Sequence, residues 1–300
     1  MGNRGILVNK NKNNKNMMNN HAQRSLKTLN LKQYKLNFQF FPSHLVERSI
    51  WPLMLSCSLF ALVIGTVQYF HGYSTGFLLL KASLVLILIG AAYWWKDVVV
   101  EASYQGHHTK KVRFGIAQGF NLFILSEVMA FLSVFWAYFH SSLSPAIELG
   151  SSWPPAGITP LNAFAIPFIN TLILLSSGGF ITYAHHALIA NNRKATIIGL
   201  SVTIILALVF TFLQYIEYNQ ASFTFADSVY GSVFYATTGL HGAHVLIGTL
   251  FIYIQYIRIL NYHLTNVHHL GLELSILYWH FVDIVWLMLF CVVYYWGGSV

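Results

Sequence analysis

Seven stretches of this chain are apolar and long enough to cross a bilayer, at about 50–70, 77–95, 114–140, 163–189, 196–216, 232–260 and 274–297. At about 1.5 Å of rise per helical residue, twenty such residues cover a hydrocarbon core of about 30 Å. A backbone in lipid must satisfy its own hydrogen bonds, which leaves helices and closed barrels as the spanning forms. None of the stretches has the ten-residue polar/apolar alternation of a membrane barrel. The expectation is an all-α, polytopic membrane protein. Composition agrees: 56% of residues are hydrophobic and 9% charged, against roughly 25% charged in an ordinary soluble domain.

The loops between the stretches are asymmetric in charge. Nine Lys or Arg precede the first span, four lie between spans two and three, two lie between spans four and five, and Arg258 closes span six. Sixteen of the seventeen therefore fall on one side, with Lys81 the exception. The opposite loops are read as carrying Glu148, Glu217 and Asp227. Positive charge resists translocation, so the N-terminus is expected inside and the C-terminus outside, as an odd span count requires.

Residues 1–41 hold eight Lys or Arg, no Asp or Glu, and the run NKNNKNMMNN. They read as a basic tail, disordered and solvated, set apart from the domain at 42–300. A removable targeting segment is a second reading, weakened by the Asn-rich start. A nucleic-acid-binding arm has no fold behind it, so no nucleic-acid partner is expected. Cys57 and Cys291 lie in apolar spans and read as small buried hydrophobes. No phosphate-cradling GxxxxGK[ST] loop is present, so ATP-driven transport has no support. Tyr93, Trp94, Trp95, Trp136, Tyr138, Tyr294, Tyr295 and Trp296 read as interfacial anchors.

Two carboxylates lie inside spans. Glu127 is the central residue of 114–140, with thirteen residues on either side and no Asp, Glu, Lys or Arg among them. A charged carboxylate at that depth costs roughly 2.5–3.5 kcal/mol, so such a residue is a functional candidate by default. It has no partner on its own helix; one must come from another helix, a lipid or water. Asp283 lies ten residues into the last span, three residues after His280, with which it can pair. A proton relay needs a chain of such groups at graded depth, and two carboxylates are not an obvious chain.

Fourteen histidines invite a metal or haem reading. His241 and His244 share a helix face by spacing, and His107–His108, His185–His186 and His268–His269 sit at span ends. Metal binding needs several imidazoles converging on one point. Adjacent histidines point to different helix faces, and interfacial roles are the commoner case, so both readings stand.

Read in order, the polar signatures resemble cytochrome c oxidase subunit III of the mitochondrial type, from Phe41 to Gly298. They are WPL at 51–53, WWKDVVVEASYQGHHT at 94–109, LSEV at 125–128 and FWAYFHSSLSPAIELGSSWPPAGITPLN at 135–162. NTLILLSSG at 170–178, AHHAL at 184–188, FTFADSVYGSVFYATTGLHGAHVLIG at 223–248 and HHLGLELSILYWHFVDIVWL at 268–287 complete the set.

The resemblance implies seven helices in two groups, one to two and three to seven, around a lipid-filled cleft. It implies an N-terminus in the matrix and a C-terminus in the intermembrane space. Its location would be the mitochondrial inner membrane, with a bacterial plasma membrane as the alternative. It implies a non-redox core subunit of a proton-translocating oxidase in aerobic electron transport, without a catalytic centre, metal or cofactor of its own. Haem and copper would belong to subunits I and II, whose stability and proton uptake the chain would support beside accessory subunits. A quinol oxidase subunit III of bacterial type is the alternative.

Residue by residue, the resemblance makes Glu127 the intramembrane glutamate of helix three. It assigns Trp95, Glu101, His108, Arg258 and His263 to phospholipid headgroups. The sequence departs from the family pattern at Val100 and Asn261, where many members carry basic residues.

Overall fold

The computed structural model describes residues 43–298. Among them are seven helices of membrane-spanning length and no strand. In chain order they are α1 (Trp51–Phe70), α2 (Gly76–Ser103), α3 (Lys110–Leu143), α4 (Ile166–Ile189), α5 (Arg193–Gln220), α6 (Ser228–Leu260) and α7 (Leu270–Leu289). The last continues as π-helix over Phe290–Trp296. The tail expected at 1–41 lies outside the described residues.

Most of these helices outrun the apolar stretches that announced them. Lys96, Asp97, Glu101, Lys110, Lys111, Arg113, Arg193, Lys194 and Glu217, which the sequence puts between spans, are helical. Hydropathy marks the hydrocarbon boundary, whereas a helix ends where its backbone is capped. Pro52 and Pro167 open α1 and α4, where a missing N–H leaves no bond unmade. Asn192 caps α5 by accepting from the Ala195 amide at 3.2 Å.

The chain packs as two compact units that divide after Arg113. In the first, α1 and α2 form a tight hairpin. A Cβ at Gly65 would lie 2.8 Å from the Leu80 backbone nitrogen, so the two backbones approach as only glycine allows.

In the second unit α7 is the hub. Trp279 and Trp286 are fully buried, and their indoles donate to Ser177 Oγ and Thr171 Oγ1 of α4, both at 2.9 Å. Gly248 of α6 lets the Trp279 ring come within 3.0 Å of where a Cβ would stand. Gly199 of α5 meets Ala184 of α4 in the same way. Small residues thus set the helix contacts, as expected where lipid removes the hydrophobic drive for helix association.

The outward faces carry Leu, Val, Ile and Phe at high exposure, an apolar surface suited to lipid. Cys57 and Cys291 belong to that surface and are exposed, contrary to the buried placement expected of them. Apolar character implies burial in water; in a membrane a lipid-facing position satisfies it equally. Tyr138 and Tyr294 depart in the other direction. Expected as interfacial anchors, they are 0% and 2% exposed and form part of the core.

Candidate functional site

Glu127 is midway along α3, and His244 is midway along α6. Their side chains meet, with Glu127 Oε2 2.7 Å from His244 Nε2. Partnership from another helix, one of the three options left to Glu127, is thereby realised. His244 is walled by aromatic rings: Phe131 at 4.9 Å between centroids, and Tyr278, stacked at 6.2 Å and 12°.

The proton arrangement follows from the partners. His244 Nδ1 lies 2.7 Å from the Leu240 carbonyl, which can only accept, so Nδ1 carries a hydrogen. One further proton then lies between Nε2 and Oε2. It belongs either to a carboxylic acid donating to imidazole or to an imidazolium donating to carboxylate. In both forms the pair is neutral overall, which is how two ionisable groups remain at mid-membrane depth without a net charge in lipid.

His241 does not share this site, although i,i+3 spacing suggested a common face. Its Nε2 lies 3.3 Å from the Val282 carbonyl, and its ring packs on Trp286 at 5.1 Å. A 60° difference in heading is enough to send the two imidazoles to different neighbours.

Asp283 is buried on α7, with His280 Nδ1 3.7 Å from its Oδ2, as the i,i+3 spacing anticipated. His280 also contacts Thr182 Oγ1 at 3.2 Å. Gly178 makes room for the carboxylate, since a Cβ there would stand 2.5 Å from Asp283 Oδ2.

The five residues assigned to lipid headgroups fall in the two units separately. In the first, Trp95 is exposed near the end of α2, and His108 is half-buried in the turn beyond it. Glu101 lies 3.3 Å from His44 Nε2, and the His44 ring stacks on His107 at 4.5 Å. In the second, Arg258 lies in the last turn of α6 and His263 just beyond its end. The His263 amide donates to the Arg258 carbonyl at 2.9 Å, and Arg258 donates to Gln255 Oε1 at 3.3 Å.

One polar centre went unread in the sequence. Glu217, assigned to an outer loop, sits in the last turns of α5 at 2% exposure. Tyr294 donates to its Oε1 at 2.6 Å, and Gln214, one turn back on the same helix, contacts that oxygen at 3.4 Å. Asn170 of α4 extends the network to Gln214 Oε1 at 3.4 Å. The Gln-x-x-Glu spacing inside a helical run was the available signal. His244 was detectable too, as the histidine at the same depth as Glu127.

Seven spanning helices and a neutral acid–base pair at mid-depth define a polytopic helical membrane protein with a polar interior. The family model for cytochrome c oxidase subunit III matches residues 41–298. Proteins named cytochrome c oxidase subunit 3 are similar along nearly their whole length. That of Schizophyllum commune is 55% identical over 262 residues, covering 87% of this chain and 98% of the relative. That of Allomyces macrogynus is 54% identical over 270 residues, 90% and 98%. That of Prototheca wickerhamii is 52% identical over 258 residues, 86% and 98%. The chain belongs to the cytochrome c oxidase subunit III family.

Proposed function

We propose that this chain is the non-redox subunit III of a mitochondrial cytochrome c oxidase, working in the inner membrane beside subunits I and II. Family membership over residues 41–298 carries the reading. The Glu127–His244 pair gives it physical content. A shared proton in a neutral pair ties α3 to α6 at the depth where any unpaired charge would be most costly.

The chain's part is to hold the oxygen-reducing subunits in a stable assembly and sustain their proton uptake. Electron transfer and oxygen reduction take place on the haem and copper of the partners. Phospholipid binding is part of the proposal. Arg258 and His263 offer charge-assisted donors to a phosphate at the basic end of α6. Trp95, Glu101 and His108 present an aromatic and polar face at the end of α2.

Affinity purification of the chain is expected to bring down haem-bearing subunits I and II; recovery of the chain alone would sink the proposal. In that complex Glu127→Gln is expected to leave haem, copper and initial oxygen-reduction rate near wild type. Loss of the haem or copper signal in that variant would assign this chain a role in the redox centres themselves.

A further inference from the structure

At one end of the second unit two of the three adjacent-histidine pairs, His185–His186 and His268–His269, face each other. His186 and His268 turn outward and are exposed. His185, near the C-terminal end of α4, and His269, which precedes the first residue of α7, turn inward, and their Nε2 atoms are 3.4 Å apart. Glu273, one turn into α7, brings its Oε1 to 3.1 Å from His269 Nε2. The three ligand atoms all lie within 4.8 Å of one another.

His269 Nδ1 is 2.9 Å from the Thr265 carbonyl, so Nδ1 carries a hydrogen and, in the neutral ring, Nε2 presents a lone pair. That lone pair faces a carboxylate oxygen and a second imidazole nitrogen. A single proton, on His185 Nε2 or between His269 Nε2 and Glu273, serves one of these contacts well, whereas one cation among the three atoms serves all of them.

The spacing suits a particular ion. Tetrahedral zinc with bonds of about 2.0–2.1 Å separates its ligand atoms by about 3.4 Å. Two of the three separations here, 3.4 and 3.1 Å, are already close to that edge. A carbonyl bound to the far nitrogen of a ligating histidine is also the usual outer support of such sites. His269 is 7% exposed, while the Glu273 side chain is 48% exposed. The set therefore has a buried anchor and an open side for entry and for a fourth, water ligand.

We propose that His185, His269 and Glu273 form an exchangeable site for a divalent transition-metal ion of the Zn2+ class, clamping the end of α4 to the start of α7. Such an ion is redox-inactive. The proposal rests on contacts within one unit and stands apart from the lipid and proton readings above.

The test uses the purified, chelator-stripped oxidase complex equilibrated with graded Zn2+. Bound zinc per complex is measured by mass spectrometry, and haem content confirms assembly. Any zinc bound elsewhere in the complex is common to all samples and cancels in the difference. His185→Gln and Glu273→Gln are expected each to weaken one equivalent of zinc by about tenfold or more. His186→Gln and His268→Gln, on the outward imidazoles, are expected to match wild type. Zinc-edge X-ray absorption of that equivalent should show two imidazoles. Identical zinc titration in wild type, His185→Gln and Glu273→Gln would overturn the proposal, as would equal losses in the outward-facing controls.

Discussion

Replacing Glu127 tests whether the mid-membrane pair acts through its hydrogen bond or only through packing. Glu127→Leu fills the space but leaves His244 Nε2 without the carboxyl it meets at 2.7 Å. Stranding a buried polar atom costs about 1–3 kcal/mol. Interhelical polar contacts measured in a membrane protein average about 0.6 and reach about 1.7 kcal/mol. His244 is nearly buried, and the contact is short, which argues for the upper end. The Glu127 side chain is 23% exposed, which argues for a discount. A coupling of about 1–1.5 kcal/mol is the expectation.

Glu127→Gln behaves differently, because its amide can still donate to His244 Nε2. It should cost less than about 0.5 kcal/mol, near the smallest difference such cycles resolve. The assay is a double-mutant cycle with His244→Leu, read by steric-trap unfolding of the chain in bicelles. If Gln destabilises as much as Leu, or if the cycle couples by less than about 0.3 kcal/mol, the hydrogen-bond reasoning fails.

Two further outcomes follow from packing and polar satisfaction. Gly199→Val places a Cβ 2.8 Å from Ala184 Cβ and 3.0 Å from the Phe180 carbonyl, so α4 and α5 must separate. A loss of about 1–3 kcal/mol is expected in the same unfolding assay. Tyr294→Phe removes the 2.6 Å donor to buried Glu217 and should cost about 1–3 kcal/mol. The double variant with Glu217→Leu should cost less than the two singles added, since neither member of the 2.6 Å pair is then left without the other, although Gln214 Nε2 loses both of its contacts.

The depth of Glu127 was legible because a carboxylate inside 27 otherwise uncharged residues marks the middle of a span wherever the helix packs. The identity of its partner was not, since His244 is 117 residues away and competes with thirteen other histidines. Asp283 and His280 were legible as a pair because helical geometry alone brings i and i+3 together. Glu217 was misplaced because a polar residue past the apolar run looks like loop, although α5 continues through it to Gln220.

What the sequence by itself determined is the set of properties governed by one residue's transfer between water and lipid. These are seven spans, their order, and two carboxylates below the surface. Tertiary structure alone decided which face of each helix meets another helix and which meets lipid. It turned Tyr138 and Tyr294 inward, Cys57 and Cys291 outward, and His185 toward His269. Both environments are apolar, so hydrophobicity does not tell them apart. Close backbone contacts at glycine and the matching of polar groups across helices make that choice, and both depend on residues far apart in the chain.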